Sequence, residues 1–89
     1  MAYNNDEEVE WEEDDEETDL WMLRQDLAEE LEAINRYQDH IDALDSEEAR
    51  QALESIRDNA KEHVAKLVKL IEKLDLTQAE KFREEGLGS

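Results

Sequence analysis

The stretch LWMLRQDLAEELEAINRYQDHIDAL, residues 20–44, decides the fold. Its apolar residues recur in alternating steps of three and four. Leu20, Leu27, Ile34 and Ile41 form one row, and Leu23, Glu30, Tyr37 and Leu44 form a second. Such steps hold both rows on one face of an α-helix. The spacing therefore predicts a helix over about residues 19–44 with an apolar seam. Thr18 has the chemistry of an N-cap, and Asp19 follows it where the helix dipole favours an acid.

A second stretch, ARQALESIRDNAKEHVAKLVKLIEKL at 49–74, repeats the pattern. Ala49, Ile56, His63 and Leu70 form one row; Leu53, Ala60, Leu67 and Leu74 form the other. Val64, Val68 and Ile71 add a further stripe, and a helix with two apolar faces needs more than one neighbour. Asp45 and Ser46 separate the two helices and can cap the second, with Asp45 and Glu48 at capping-box spacing. So short a connection makes the helices antiparallel neighbours. Asp75-Leu76 interrupts the pattern. Thr77 and Glu80 then have capping-box spacing for a short third helix to about Glu85, anchored by Phe82 and closed by Gly86. The expected organisation is an acidic, flexible tail over 1–17, a helical hairpin with a short third helix over 18–85, and a loose C-terminus over 86–89.

This is an all-α fold, but two helices cannot enclose a seam. Below roughly 70–80 residues a single core supplies only a few kcal/mol. Two hairpins packed face to face complete a four-helix bundle, so a homo-oligomer, at least a dimer, is expected.

The 89-residue chain has no Cys, which excludes disulfides and thiolate metal sites. Its formal net charge is −18, from 28 acidic and 10 basic residues. Nucleic acid and anionic membrane surfaces are excluded as partners, because both require a basic footprint. Cations and basic protein surfaces are favoured. Ten of the first 17 residues are acidic, the reverse of a secretory or mitochondrial leader. They form either a solvated tail or a cation-gathering arm, with Val9 and Trp11 as a small apolar handle. No apolar run approaches the roughly 20 residues of a membrane span. A cytoplasmic protein is expected.

Two seam positions are polar. Glu30 lies about 15 residues before the turn and His63 about 17 after it. At ~1.5 Å per residue they sit within ~3 Å of the same level. In a symmetric dimer, two Glu30 and two His63 converge at the bundle centre. One reading is a buried pair in which each satisfies the other and fixes register. The other is a metal site, since carboxylates and imidazoles inside a four-helix bundle hold two irons in the carboxylate proteins of that architecture. Those proteins place Glu-x-x-His on a helix; here the run reads Ala60-Lys61-Glu62-His63. Two Glu and two His per dimer also suit a single Zn(II). Tyr37 lies beside the level of the pair as a core residue or a supporting group. Glu29 and Glu32 point away from the seam, and His40 flanks its edge. The chain has no Ser-His-Asp order and no Gly-rich phosphate loop.

The runs EELEAINRY at 29–37 and RDNAKEHVA at 57–65 resemble the encapsulated ferritins, the two-helix members of the ferritin-like superfamily. The resemblance covers roughly residues 24–83. It implies cargo of an encapsulin nanocompartment, bound by the encapsulin shell protein, with dimers arranged as a ring-shaped decamer. It further implies a di-iron ferroxidase centre at the dimer interface, which oxidises Fe(II) with oxygen for iron storage. Carried over by position, Glu30 and His63 are metal ligands, Tyr37 is the tyrosine near the centre, and Glu29 and Glu32 match outer acidic residues of secondary metal sites. Family members usually read Arg-Asp-Glu-Glu-Lys-Glu-His in the second run, where the second Glu bridges the metals; this chain has Ala60. It also has Arg36 where an aromatic residue usually precedes the tyrosine. The resemblance thus implies an iron-binding cargo whose ferroxidase centre lacks one ligand. The rival expectation is a non-catalytic acidic oligomer in which the Glu30–His63 pair is structural.

Overall fold

A computed structural model describes residues 3–87, with side chains from Glu17 to Leu87. Three helices follow one another: α1 (Tyr3–Ala43), α2 (Glu47–Leu74) and α3 (Leu76–Glu84). The α1 and α2 helices pack against each other as an antiparallel hairpin, and α3 packs on α2. The molecule is only 14 Å deep in its thinnest direction. That is a single layer of helices, so nearly every apolar side chain has a solvent-facing side. Among the described residues only Ile41, Ala60 and Ile71 are buried.

The first helix begins earlier than its sequence signals suggested. Thr18 is an interior residue of α1, not its cap. Residues 3–17 contain no Pro or Gly, Glu is a good helix former, and acids near a helix N-terminus are favoured by its dipole. Nothing in that run stops the helix at Thr18. From Tyr3 on, the acidic segment expected as a flexible tail belongs to α1; the side chains of the Val9–Trp11 handle and the loose end at Gly88-Ser89 fall outside what is described.

Both later caps also differ from the capping boxes expected. Ser46, in extended conformation, accepts a hydrogen bond at Oγ from the Ala49 amide at 3.1 Å, so Ser46 rather than Asp45 caps α2. Asp75 rather than Thr77 caps α3, accepting at Oδ1 from the Gln78 amide at 3.1 Å. Asp75 closes α2 as well, its own amide donating to the Ile71 carbonyl at 2.8 Å. One extended residue thus serves two helices, and no room remains for a separate linker. Gly86 ends the chain's helical part with φ +79°, as expected of a C-terminal glycine.

Asp75 also receives the Arg24 guanidinium of α1 at 2.6 Å, which ties the free end of the hairpin together. The Gln78 amide chiefly, with the Arg24 charge, holds its carboxyl below the usual carboxylate range against a desolvation that pushes it up. Since the folded carboxyl is the stronger acid, its stabilisation is complete above that range and is lost as pH falls through and below it. Acidification should therefore loosen α3 before the hairpin melts. In Asp75→Asn, which keeps a capping oxygen but no charge, that acid step should disappear. Amide exchange at Gln78 and Ala79 followed against pH reads both.

All eight seam positions from Leu20 through Leu44, the last of them just beyond α1, are half-buried or buried. In α2 the two rows part company. Leu53, Ala60 and Leu67, together with Val64, Val68 and Ile71, are at least half-buried, whereas Ile56, His63 and Leu70 are exposed. The hairpin contact uses the Leu53–Ala60–Leu67 row and the extra stripe. The Ile56–His63–Leu70 row stands on an open face. No described helix is long and apolar enough to cross a membrane.

Candidate functional site

The open face is a line of three shallow grooves between α1 and α2. The first, about 310 Å³, lies at the free end among Asp19, Met22, Leu23, Asp26 and Leu74. The second, about 300 Å³, is lined by Asp26, Glu29, Glu30, His63, Lys66 and Leu67. The third, about 240 Å³, is lined by Glu30, Tyr37, Ile56, Asn59, Ala60 and His63. Glu30 and His63 belong to both the second and the third. They form the polar ridge that divides an otherwise largely apolar trough.

Across that ridge Glu30 Oε2 stands 3.3 Å from His63 Nδ1. The side chains remain 30% and 54% exposed respectively, so neither is spent on the hairpin core and both can meet a further group. Their levels match because the hairpin is antiparallel with a three-residue turn between Ala43 and Glu47. The small, buried Ala60, one turn before His63, lets α2 lie close to α1 here. A buried Glu–His pair is therefore not what a single chain contains; the pair is at the surface of one hairpin.

Tyr37 lines the third groove two turns from Glu30, with the Arg36 guanidinium 5.3 Å from its ring centroid. At that distance a cation is held over the ring face. Glu29 was expected to point away from the seam, yet it rims the second groove. A helix residue adjacent to a seam position is only ~100° around the axis, close enough to reach the edge of a shallow trough. Glu32 and His40 are exposed. Asp58 pairs with Arg57 at 3.2 Å, while Asn59 lines the third groove.

Two rim residues were missed by the sequence reading, Asp26 and Lys66. The signal was present: Asp26 precedes Glu30 by four and Lys66 follows His63 by three, the spacings that share a helix face. Among the described residues of one chain, no group of three or more His, Cys, Asp or Glu is arranged to hold a metal ion. A carboxylate and an imidazole from each chain can hold one only if a second source of ligands meets them.

Fold and site together define a class: an acidic helical hairpin that displays a carboxylate and an imidazole side by side on an uncovered apolar face. Over 62 residues the chain is 42% identical to the encapsulin nanocompartment cargo protein EncC of Myxococcus xanthus (strain DK1622). The match takes in 70% of this chain and 48% of that protein, so the chain spans about half the length of the relative it matches. No family model matches, and no solved structure matches significantly.

Proposed function

We propose that this chain is a ferritin-like, iron-binding cargo of an encapsulin compartment, working as face-to-face dimers that build a four-helix bundle and assemble further into a ring. The observation that carries the metal reading is the Glu30–His63 pair, 3.3 Å apart on the open face. The similarity to a cargo protein supplies the compartment. When two open faces meet, the troughs close over the two pairs and bring two carboxylates and two imidazoles together. Tyr37 lies beside them, and Asp26 and Glu29 surround the entrance with negative charge that concentrates cations. Glu32 offers a further outer site. Bound Fe(II) would be the ion handled, with oxygen as its oxidant. Ala60 supplies no ligand, which makes iron oxidation weak in the chain as it stands.

Iron retained after aerobic loading and desalting tests this reading. The unmodified chain should keep iron, and His63→Ala should lose most of it. Equal retention by both would place the iron on the acidic residues of 1–17 or on Glu29 and Glu32 instead. Co-production with an encapsulin shell protein tests the compartment separately, with the chain expected inside purified shells.

A second reading has one observation in its favour. Ala60 is buried where a bridging carboxylate is needed, leaving a single carboxylate–imidazole pair per chain. In that case the assembly is non-catalytic and the pair sets the register of the dimer. Metal-free dimers as stable as metal-loaded ones identify it.

A further inference from the structure

The charge of the chain is unevenly placed. Residues 1–44 hold 17 acids and two basic residues, Arg24 and Arg36, whereas residues 61–83 hold six basic residues and four acids. A protein of net charge −18 thus contains one segment of net positive charge. The fold sets the two regions apart. Arg24 meets Asp75 where α2 gives way to α3, so the part of α1 before Arg24 runs on past the end of α2. From Tyr3 to Arg24 that overhang is about 30 Å at ~1.5 Å per residue. Among the described residues α3 packs on α2 and not on α1, so it does not cover the overhang.

Nothing breaks the helix in this arm, yet its charges oppose it. Ten of the first 17 residues are acidic, and like charges one turn apart destabilise a helix. Held as a helix, the arm calls for opposite charge along its side. The seam rows of α1, extended upstream of Leu20, read Asp6, Val9, Glu13 and Glu16. The face that is apolar within the hairpin is therefore acidic in the arm, and its cover is a basic surface rather than the apolar face of another hairpin. The outer edge of α2 is such a surface. Lys66, Lys69 and Lys73 follow one another at steps of three and four, on one stripe. All three are exposed, on the far side of α2 from the buried Ala60 and Ile71. Lys66 reaches Glu62 at 3.4 Å and is still 70% exposed, while Lys69 and Lys73 enter no ion pair among the described residues.

We propose that the acidic N-terminal arm of α1 docks on the Lys66–Lys69–Lys73 edge of α2 in another copy of the chain, and so joins one dimer to the next. This rests on the reading of face-to-face dimers that assemble further, and it names the contact between them. The arm continues α1 in a straight line away from its own lysine stripe, so the stripe it meets belongs to another copy. Each chain brings one arm and one edge. Such a head-to-tail contact is heterologous, and it closes into a ring when the rotation between copies allows. The contact is ionic and lies between exposed groups, so salt weakens it. The apolar pairing on the open face lacks that sensitivity.

The test uses the full chain and sedimentation. One variant reverses the edge, Lys69→Glu with Lys73→Glu; Lys66 stays, because it rims the groove of the Glu30–His63 pair. The other reverses the arm, with Glu12→Lys, Glu13→Lys, Glu16→Lys and Glu17→Lys. Each should raise the dissociation constant of assemblies larger than the dimer roughly tenfold or more, and leave the dimer intact. The milder Lys69→Gln with Lys73→Gln should act in the same direction by less. Salt raised from about 0.1 M to about 1 M should do the same to the unmodified chain, as the screening length falls from about 10 Å to about 3 Å. Mixing the two reversed variants should restore the larger assembly, since every arm then meets an edge of opposite charge; restoration also shows that both variants fold. Recovery only when both sets of changes sit in one chain would place the arm on its own α2 and overturn the proposal. So would a larger assembly indifferent to either reversal, which would leave the arm for a basic surface on another protein. An unmodified chain that stops at the dimer removes the link between dimers and leaves the open-face pairing standing, and a monomer removes both.

Discussion

Ala60→Glu should raise aerobic Fe(II) oxidation roughly tenfold or more over the unmodified chain, equivalent to about 1.4 kcal/mol or more off the barrier. Position 60 lies on α2 one turn before His63 and lines the same groove as Glu30 and Tyr37. A Glu there restores Glu-x-x-His and brings the dimer to four carboxylates and two imidazoles, the donor set of two-iron bundles. Since Ala60 is buried, the new side chain has to turn its carboxylate out of the α1–α2 contact into the groove. Without metal, four carboxylates at one level repel one another, and thermal melts should show a less stable assembly. Iron should reverse that loss, because it binds only the assembled form. Ala60→Glu combined with Glu30→Ala should recover no oxidation. Absorbance of the oxidised iron follows the first effect, and melts with and without Fe(II) follow the second. Destabilisation that iron neither reverses nor accompanies with faster oxidation would leave the Glu30–His63 pair as a structural contact.

The paired substitution Ile56→Glu with Leu70→Glu should break the assembly into folded monomers. Both side chains stand on the open face, 43% and 45% exposed in the hairpin, so they contribute little to the fold of one chain. Burying each is worth about 1–3 kcal/mol, and a symmetric interface contains every residue twice. Four lost apolar contacts, with added charges in an already acidic protein, should weaken dimers by roughly a thousandfold or more. Sedimentation should show the monomer, and circular dichroism should show helicity close to that of the unmodified chain. Dimers that persist would move the interface to other exposed apolar residues, such as Trp21, Leu31 and Leu76.

The helical hairpin was legible in the heptad rows. The level match between Glu30 and His63 also followed from counting residues on either side of one turn. Periodicity could not say which of the two α2 rows faces α1. Both are largely apolar, and the row that faces α1 is the one that holds the small Ala60 and adjoins the extra stripe of Val64, Val68 and Ile71. The exposure of Ile56, His63 and Leu70 is the consequence. Caps were legible only as residue types. Asp45 and Ser46, or Asp75 and Thr77, compete for the same role, and the winner is the residue whose backbone is extended at the junction. The long start of α1 was missed because Thr18 resembles a cap, while the absence of any helix breaker upstream carries more weight. Arg24 was unremarkable in sequence, since its partner Asp75 lies 51 residues away.

Crystals of the full chain soaked in Fe(II), and measured at the iron absorption edge, test most directly whether the Glu30–His63 pairs of two copies meet around metal on the open face. Anomalous density is expected between two facing hairpins, bounded by Glu30 and His63 from each, with Tyr37 beside it. Iron located only along the acidic residues of 1–17, or facing pairs with no metal between them, would contradict it.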